Sequence, residues 1–101
     1  SIERTGNGIT FRRMKTGFLM QFIRDIDKLS VQSVRTEVIK AIKNVEESSS
    51  PAGIRGLKKL SGCKNAFRIK IGDYRIGIFI EKDIVEFARV VHRKDIYKVF
   101  P

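Results

Sequence analysis

Apolar and polar residues alternate through most of the second half of the chain. The segments AFRIKI, YRIGIFIE and IVEFARVVH begin at residues 66, 74 and 84, and apolar side chains recur at every second position in each. This period of two is typical of strands that bury one face. The pairs Gly72-Asp73 and Lys82-Asp83 separate the segments and fit two-residue hairpin turns. The pattern therefore predicts an antiparallel meander of three strands.

Apolar residues in the first half of the chain recur at the three- and four-residue spacing of an amphipathic helix. The first stripe consists of Phe18, Leu19, Phe22, Ile23, Ile26 and Leu29. The second stripe consists of Val31, Val34, Val38, Ala41, Ile42 and Val45. The polar face of the first helix is expected to carry Arg24, Asp25 and Lys28. Core packing is the expected use of both stripes, ahead of a cofactor groove or a partner-binding face.

Helices followed by strands are typical of the α+β class. We therefore predict an N-terminal helical hairpin packed on one face of an antiparallel β-sheet, with a short tail helix at the C-terminus. Near the N-terminus, Asn7-Gly8 predicts a hairpin turn before a strand with Ile9, Phe11 and Arg13 on one face. Residues 47–56 are predicted to form a loop, and the basic residues that follow are predicted to form a short connection.

Length and charge limit the possible functions. The 101 residues suit one domain over residues 1–101, and a hydrophobic content of 42% can fill a modest core. The 21 Lys and Arg residues against 11 Asp and Glu give a net charge of +10 at pH 7. Such a charge predicts association with nucleic acid, an anionic membrane or an acidic protein, without choosing among them.

The single cysteine, Cys63, excludes an internal disulfide and a cysteine-based zinc site. A reduced, cytoplasmic setting is the simplest interpretation, and no cofactor or metal is expected. No run of residues approaches the roughly 18 apolar residues that span a bilayer. Membrane-surface binding is the weakest of the three alternatives, because no helix combines a basic face with an exposed aromatic one.

Two-residue turns would fix the register of the three strands. Ile71 then pairs with Tyr74, which places Lys70 opposite Arg75 and Arg68 opposite Gly77. Cations directly opposite each other repel, so a strand that merely needed solubility would more often carry Glu or Thr there.

The same register, continued through the second turn, places Ala88 opposite Gly77, Val90 opposite Arg75 and His92 opposite Asp73. His92 would then join the three cations around a floor of small residues, which would leave room for a ligand on the sheet. This register also places Arg89 on the helix side, where a charge is awkward.

The cluster suits anion binding, because Arg offers a planar fork for phosphate and Lys a mobile point charge. An imidazole such as that of His92 exchanges a proton in the neutral pH range, and Tyr97 offers a hydroxyl or a ring on which a base can stack. Simpler interpretations stay open. The cations could be an ordinary solvated face, His92 could be structural, and Tyr97 could pack the tail.

Residues 57–100 resemble the C-terminal half of the RelE/ParE superfamily of bacterial and archaeal toxins. The resemblance rests on three motifs: L-x-G-x-x-x-x-F-R-I-K from residue 60, G-D-Y-R-I from residue 72, and H-R-K-D-I-Y from residue 92. The two preceding helices fit that family's architecture. The first seventeen residues do not match its usual opening strand well.

The resemblance implies a type II toxin-antitoxin toxin whose RelE-like members enter the ribosomal A site and cut mRNA without a metal. The 2′-hydroxyl attacks the adjacent phosphate, and basic side chains stabilise the developing charge. The implied catalytic residues are Lys70, Arg75, His92, Arg93 and Tyr97. The implied RNA-binding residues are Arg68, Lys58, Lys59, Lys64 and Lys94.

The resemblance also implies individual roles. Arg75 matches the arginine that stabilises the transition state. Arg93 or His92 matches the position linked to transition-state binding or leaving-group protonation. Tyr97 matches the residue that orients the substrate or stacks on it. An arginine at position 68 cannot act as a base at neutral pH. Lys70 and His92 therefore both stay open as the acid or base.

Two other functions compete with mRNA cleavage. A ParE-like toxin would poison DNA gyrase and cleave nothing itself, but such chains generally lack the complete basic and His/Tyr set that is present here. A noncatalytic RNA- or ribosome-binding module would fit the charge but would leave His92 and Tyr97 without roles. The expected partners are the ribosome, mRNA and a cognate antitoxin whose acidic, partly disordered segment wraps the toxin.

Overall fold

The computed structural model describes residues 14–101 in full and residues 2–5 and 8–11 as backbone. Seven strands and three helices follow one another along this part of the chain. Their bounds are β1 Ile2–Thr5, β2 Gly8–Phe11, β3 Lys15–Phe18, α1 Met20–Lys28, α2 Gln32–Glu47, β4 Leu57–Lys59, β5 Ala66–Ile71, β6 Tyr74–Glu81, β7 Ile84–His92 and α3 Ile96–Val99. A short 3₁₀ turn, Pro51–Gly53, interrupts the predicted loop between α2 and β4.

Five strands form one sheet in the order β3-β7-β6-β5-β4. The predicted α+β fold is confirmed, but the sheet is mixed, because β3 runs parallel to β7 while the other neighbours are antiparallel. Two parts of the prediction are wrong. Phe18 ends β3 instead of belonging to the first helix, and the basic connection contains the edge strand β4.

The strands β1 and β2 pair with each other in a separate two-stranded sheet, with Thr5 opposite Gly8. The predicted N-terminal turn and strand face involve Asn7 and Arg13, which lie outside the described residues. Gly8 itself begins β2. None of the helices in the part of the chain that the structure describes is long and apolar enough to cross a bilayer.

Both helices pack their apolar stripes on one face of the sheet, which we call the helix face. Phe22 of α1 and Val38 of α2 are fully buried against Ile76 and Phe87 of the central strands. The core prediction is therefore confirmed for most of both stripes, including Leu29 and Val45 at their C-terminal ends. The exposed members are Phe18, Leu19, Ile23 and Val31.

The opposite face of the sheet carries a second, smaller apolar cluster. Ile96 of α3 and Phe100 pack there against Ala66 and Ala88. We call this the tail face, because the C-terminal tail lies on it. The predicted short C-terminal helix is confirmed, and its buried side chains fix the tail to the sheet.

The predicted turns set the register as expected for most of the meander. Ile71 pairs with Tyr74 and Lys70 with Arg75, and beyond the second turn Ile78 pairs with Phe87. The register then shifts, because Gly77 pairs with Arg89.

This shift is a β-bulge, in which one extra residue of β7 is accommodated at Ala88. The predicted pairs of Gly77 with Ala88, Arg75 with Val90 and Asp73 with His92 are therefore wrong. The observed partner of Arg75 is Val91. A shift of one residue moves every later side chain of the strand to the other face.

Candidate functional site

Four cations share the tail face on neighbouring strands. Lys58 of β4 lies opposite Arg68 of β5, and Lys70 of β5 lies opposite Arg75 of β6. The residues that alternate with them, such as Ile69, point into the core on the helix face. Lys58 and Lys70 are exposed, and both arginines are half-buried. The structure therefore brings these four predicted residues together on one surface.

Backbone carbonyls hold both arginines in place. Arg68 Nη1 donates to Gly56 O at 2.9 Å, and Arg75 Nη1 donates to the carbonyls of Gly72 and Tyr74, each at 2.8 Å. Within residues 14–101, neither guanidinium forms an ion pair with a carboxylate. A neutral carbonyl orients a guanidinium without cancelling its charge, so both positive charges stay available to an anion.

The Gly56 backbone lies close to β5, and only glycine fits there. Its φ is +72°, and a Cβ would lie 3.0 Å from Lys70 O. The Gly56 carbonyl accepts hydrogen bonds from both Arg68 Nη1 and Lys70 N–H, the latter at 3.1 Å. This segment thus supports Arg68, a predicted RNA-binding residue, and Lys70, a predicted catalytic residue.

We expect Gly56→Ala to lower the free energy of unfolding by about 2–3 kcal/mol, because a strained φ and a backbone clash act together. Gly62→Ala is the matched control. Its φ of +76° is equally unfavourable, but nothing lies within 4 Å of its Cβ position, so a loss of about 1–2 kcal/mol is expected. Urea denaturation measures both values, and equal losses would contradict the role of the close approach.

His92 does not join the cations on the tail face, contrary to the prediction. The bulge places it opposite Tyr74, and the two rings meet edge to face with centroids 5.5 Å apart. Tyr74 packs against the core of the helix face. His92 therefore lies at the end of the sheet, half-buried, on the opposite side of β7 from the position that simple alternation predicts.

The hydrogen bonds of His92 indicate which nitrogen of its neutral ring carries the proton. Nδ1 accepts the backbone N–H of Lys94 at 3.2 Å, so the proton of the neutral imidazole lies on Nε2. The His92 carbonyl accepts the N–H of Asp95 at 2.8 Å. These two contacts form a tight turn after β7, and the ring offers an N–H donor rather than a free acceptor.

The backbones of Arg75, His92 and Arg93 lie near one end of the sheet. The N–H of Arg93 donates to Asp73 O at 2.8 Å, while Arg75 Nη1 donates to Gly72 O. Both residues are thus tied to the same hairpin turn. The predicted catalytic residues 75, 92 and 93 are brought together there, although their side chains come from both faces of the sheet.

The predicted open floor at Gly77 and Ala88 is wrong. A Cβ at Gly77 would lie 2.6 Å from Cγ of Phe100. Ala88 is buried in the same cluster, and the Phe100 ring lies 5.0 Å from that of Phe79. The small residues therefore make room for the chain's own C-terminal aromatic ring.

Tyr97 projects from α3 and is 66% exposed, so it does not pack the tail; Ile96 and Phe100 do. It borders a groove of about 290 Å³ between α3 and β4. Its lining residues are Lys58, Lys59, Leu60, Ser61, Cys63, Tyr97, Phe100 and Pro101. Two of the predicted RNA-binding lysines thus lie beside the predicted stacking residue.

The two remaining predicted RNA-binding residues, Lys64 and Lys94, are exposed and lie on the loop before β5 and the turn after β7. Within the described part of the chain, no group of three or more His, Cys, Asp or Glu side chains could hold a metal ion.

Asp25 does not lie on the exposed polar side of α1, contrary to the prediction. Its side chain is buried and pairs with Arg89, with Oδ2 2.7 Å from Nε. The signal that could have found it was the predicted placement of Arg89 on the helix side, since a charge placed there needs a partner.

Residues 18–97 match the family model for the ParE toxin of the type II toxin-antitoxin system parDE. Toxin RelE3 of Methanocaldococcus jannaschii is 36% identical over 89 residues, which cover 87% of this chain and 100% of the relative. The crystal structure of a RelB-RelE antitoxin-toxin complex from Methanococcus jannaschii matches with a TM-score of 0.72 and 34% identity, over 84% of this chain and 99% of the other.

An archaeal RelE-RelB complex from Pyrococcus horikoshii OT3 shares the fold, with a TM-score of 0.65 at 15% identity over 81% of this chain and 97% of that one. Two helices on a mixed five-stranded sheet, with a short C-terminal helix, thus define a RelE-like fold. With the sequence matches, the chain belongs to the RelE/ParE superfamily of type II toxin-antitoxin toxins.

Proposed function

We propose that this chain is a ribosome-dependent mRNA endoribonuclease that inhibits translation by cutting mRNA in the A site. The observation that carries the proposal is the anchored guanidinium of Arg75. It is fixed by two carbonyl contacts of 2.8 Å and pairs with no carboxylate within residues 14–101. A gyrase poison that cleaves nothing itself has no need of a fixed, uncompensated guanidinium.

The reaction needs no metal in this proposal. The 2′-hydroxyl oxygen attacks the adjacent phosphorus, the bond from phosphorus to the 5′-oxygen breaks, and a 2′,3′-cyclic phosphate and a 5′-hydroxyl form. One proton leaves the 2′-hydroxyl and one is added to the departing oxygen. Arg75 and Arg93 stabilise the negative charge that accumulates on the phosphate oxygens.

The hydrogen bond from Lys94 N–H to His92 Nδ1 favours different roles for the two acid-base candidates. The imidazole presents Nε2–H, so we assign His92 as a hydrogen-bond donor to the phosphate oxygens, and the departing oxygen takes its proton from water. Lys70, exposed on the tail face, is then the candidate that accepts the 2′-hydroxyl proton. Tyr97 is exposed enough to stack on a base.

The RNA backbone is proposed to run along the tail face and the groove beside α3. Lys58 and Lys59 border that groove, Arg68 lies opposite Lys58 on the tail face, and Lys64 and Lys94 extend the basic surface. Contacts of this kind release counterions, so binding should weaken steeply with salt.

A cognate antitoxin is the proposed protein partner, and the cytoplasm, where ribosomes are found, is the proposed location. The solved relatives from Methanococcus and Pyrococcus are complexes of RelE with RelB. A chain with a net charge of +10 attracts an acidic segment, which would steer association and would be screened by salt.

The test uses programmed ribosomes and mapping of mRNA ends. The purified chain is expected to cut within the A-site codon only when ribosomes are present. An otherwise identical mRNA with a 2′-deoxynucleotide on the 5′ side of the cut should stay intact, because the nucleophile is missing. Intact normal mRNA, together with double-strand breaks in gyrase-treated plasmid, would refute the nuclease and support the ParE-like alternative.

A further inference from the structure

The carboxylate of Asp25 holds the edge of β7 at the bulge. Oδ2 accepts Nε of Arg89 at 2.7 Å and the backbone N–H of Val90 at 3.1 Å, and Oδ1 accepts Nη2 of Arg89 at 3.2 Å. The amide of Gln21 also donates to Oδ1, at 3.2 Å. The Asp25 side chain is only 4% exposed and that of Arg89 22% exposed. These contacts are therefore largely shielded from solvent.

The Val90 N–H needs this acceptor because β3 is too short to provide one. The last parallel pair joins Phe18 to Phe87, and the next contact is Leu19 N–H to Phe87 O at 2.9 Å, just before α1 begins. Beyond that point α1 replaces β3 beside β7. A helix has no free backbone acceptor for a neighbouring strand, so a side chain of α1 provides it. A buried N–H without a partner would be costly.

The two valines at this end of β7 do not choose its register. Val90 packs in the core of the helix face and Val91 against the cluster of the tail face, so the regular register would exchange equivalent side chains. It would also place His92 opposite Asp73 instead of Tyr74, and Arg89 opposite the buried Ile76 instead of Gly77. A guanidinium in the core needs a partner, so the register depends on where Arg89 finds its carboxylate.

We propose that Asp25 is a positioning residue that selects the bulged register through Arg89 and Val90 and so decides which face His92 occupies. In the regular register the backbone of β7 would be displaced by one residue, and Val90 N–H would leave the carboxylate. The bulged register keeps all three Asp25 contacts to β7. The effect on cleavage rests on the proposed function; the effect on register does not.

Two neutral double variants test the proposal without leaving an unpaired buried charge. Asp25→Leu/Arg89→Leu removes the ion pair and the acceptor for Val90 N–H. Asp25→Asn/Arg89→Leu also removes both charges and differs from the first variant only in keeping a side-chain oxygen where the acceptor lies. Gln21→Ala is the control, because Gln21 donates to Asp25 and forms no hydrogen bond to β7 in the described residues.

Register is read from cross-strand NOEs, and His92 is the only histidine, so its ring signals are unambiguous. Wild type, Gln21→Ala and the Asn/Leu variant should show NOEs between the Tyr74 and His92 rings. The Leu/Leu variant should lose them and gain contacts between the strand residues Asp73 and His92. Its kcat for A-site cleavage should fall about 10–100-fold, with KM changed less than about twofold, since the reacting group is displaced while most RNA contacts persist.

Three results would overturn the proposal. The Leu/Leu variant could keep the Tyr74–His92 NOEs, or lose them and still cleave at the wild-type rate, or the Asn/Leu variant could lose the register equally. If wild type itself does not cleave mRNA, the proposed function fails, and the NOEs alone then decide whether Asp25 selects the register.

Discussion

Arg75→Ala is expected to lower kcat for A-site cleavage by about 10²–10³-fold, the usual cost of removing one preorganised group that stabilises a transition-state charge. The guanidinium is preorganised by its two carbonyl contacts, to Gly72 and Tyr74. KM for programmed ribosomes should change much less, because the neighbouring cations still bind RNA. Single-turnover cleavage and equilibrium binding, measured at the same salt concentration, separate these two effects.

Two further variants make the Arg75 result specific. Arg24→Ala removes the same charge from an exposed position on α1 and should cleave like wild type. Arg75→Lys keeps the charge, but an ammonium group cannot bind both carbonyls and also offer a planar pair of N–H donors to the phosphate. We therefore expect an intermediate rate. Equal losses from Arg24→Ala and Arg75→Ala would mean that net charge alone matters, and the proposed role of Arg75 would then be wrong.

Much of the meander could be predicted because its turns and its alternation of apolar and polar residues each depend on only a few neighbouring residues. Gly72 adopts a φ of +60°, as a tight turn requires, and the period of two then placed Arg68, Lys70 and Arg75 on one face. The helical stripes were also correct where they meet the sheet, at Phe22 and Val38.

The errors arose where distant segments decide the local structure. The short strand β3 exists because Lys15–Phe18 pairs with β7, almost seventy positions later in the chain. The bulge depends on Asp25, which comes from a helix, and periodicity along β7 contains no sign of it. His92 was therefore placed on the wrong face, although its membership of the site rested on a sequence motif and not on alternation.

The prediction of an open floor of small residues was wrong for a related reason. Small residues at positions 77 and 88 indicate that something lies on the sheet, but they do not say what. The structure fills the space with Phe100, which is 3% exposed. Small residues in a strand are expected both where a bound ligand lies on the sheet and where a side chain of the same protein does. Only the path of the C-terminal tail distinguishes the two cases.

Phe100→Ala is expected to lower the free energy of unfolding by about 3 kcal/mol, as for other buried aromatic residues. The ring covers Gly77 and contacts Phe79, so its loss would expose the apolar cluster of the tail face. Gly77→Ala should be destabilising by about 1–3 kcal/mol, because its Cβ would lie 2.6 Å from the Phe100 ring.

The two changes should not be additive, because they act on one contact. In the Phe100→Ala background the space above Gly77 is empty, and an alanine in the strand then costs nothing and reduces the entropy of the unfolded chain. Gly77→Ala should therefore change stability there by less than about 0.5 kcal/mol, which corresponds to a coupling energy of about 1–3 kcal/mol in the double-mutant cycle. Urea denaturation of the four proteins gives this value. Additive losses would mean that Gly77 is required by its strand and not by the tail, and that Phe100 does not explain the small residue beneath it.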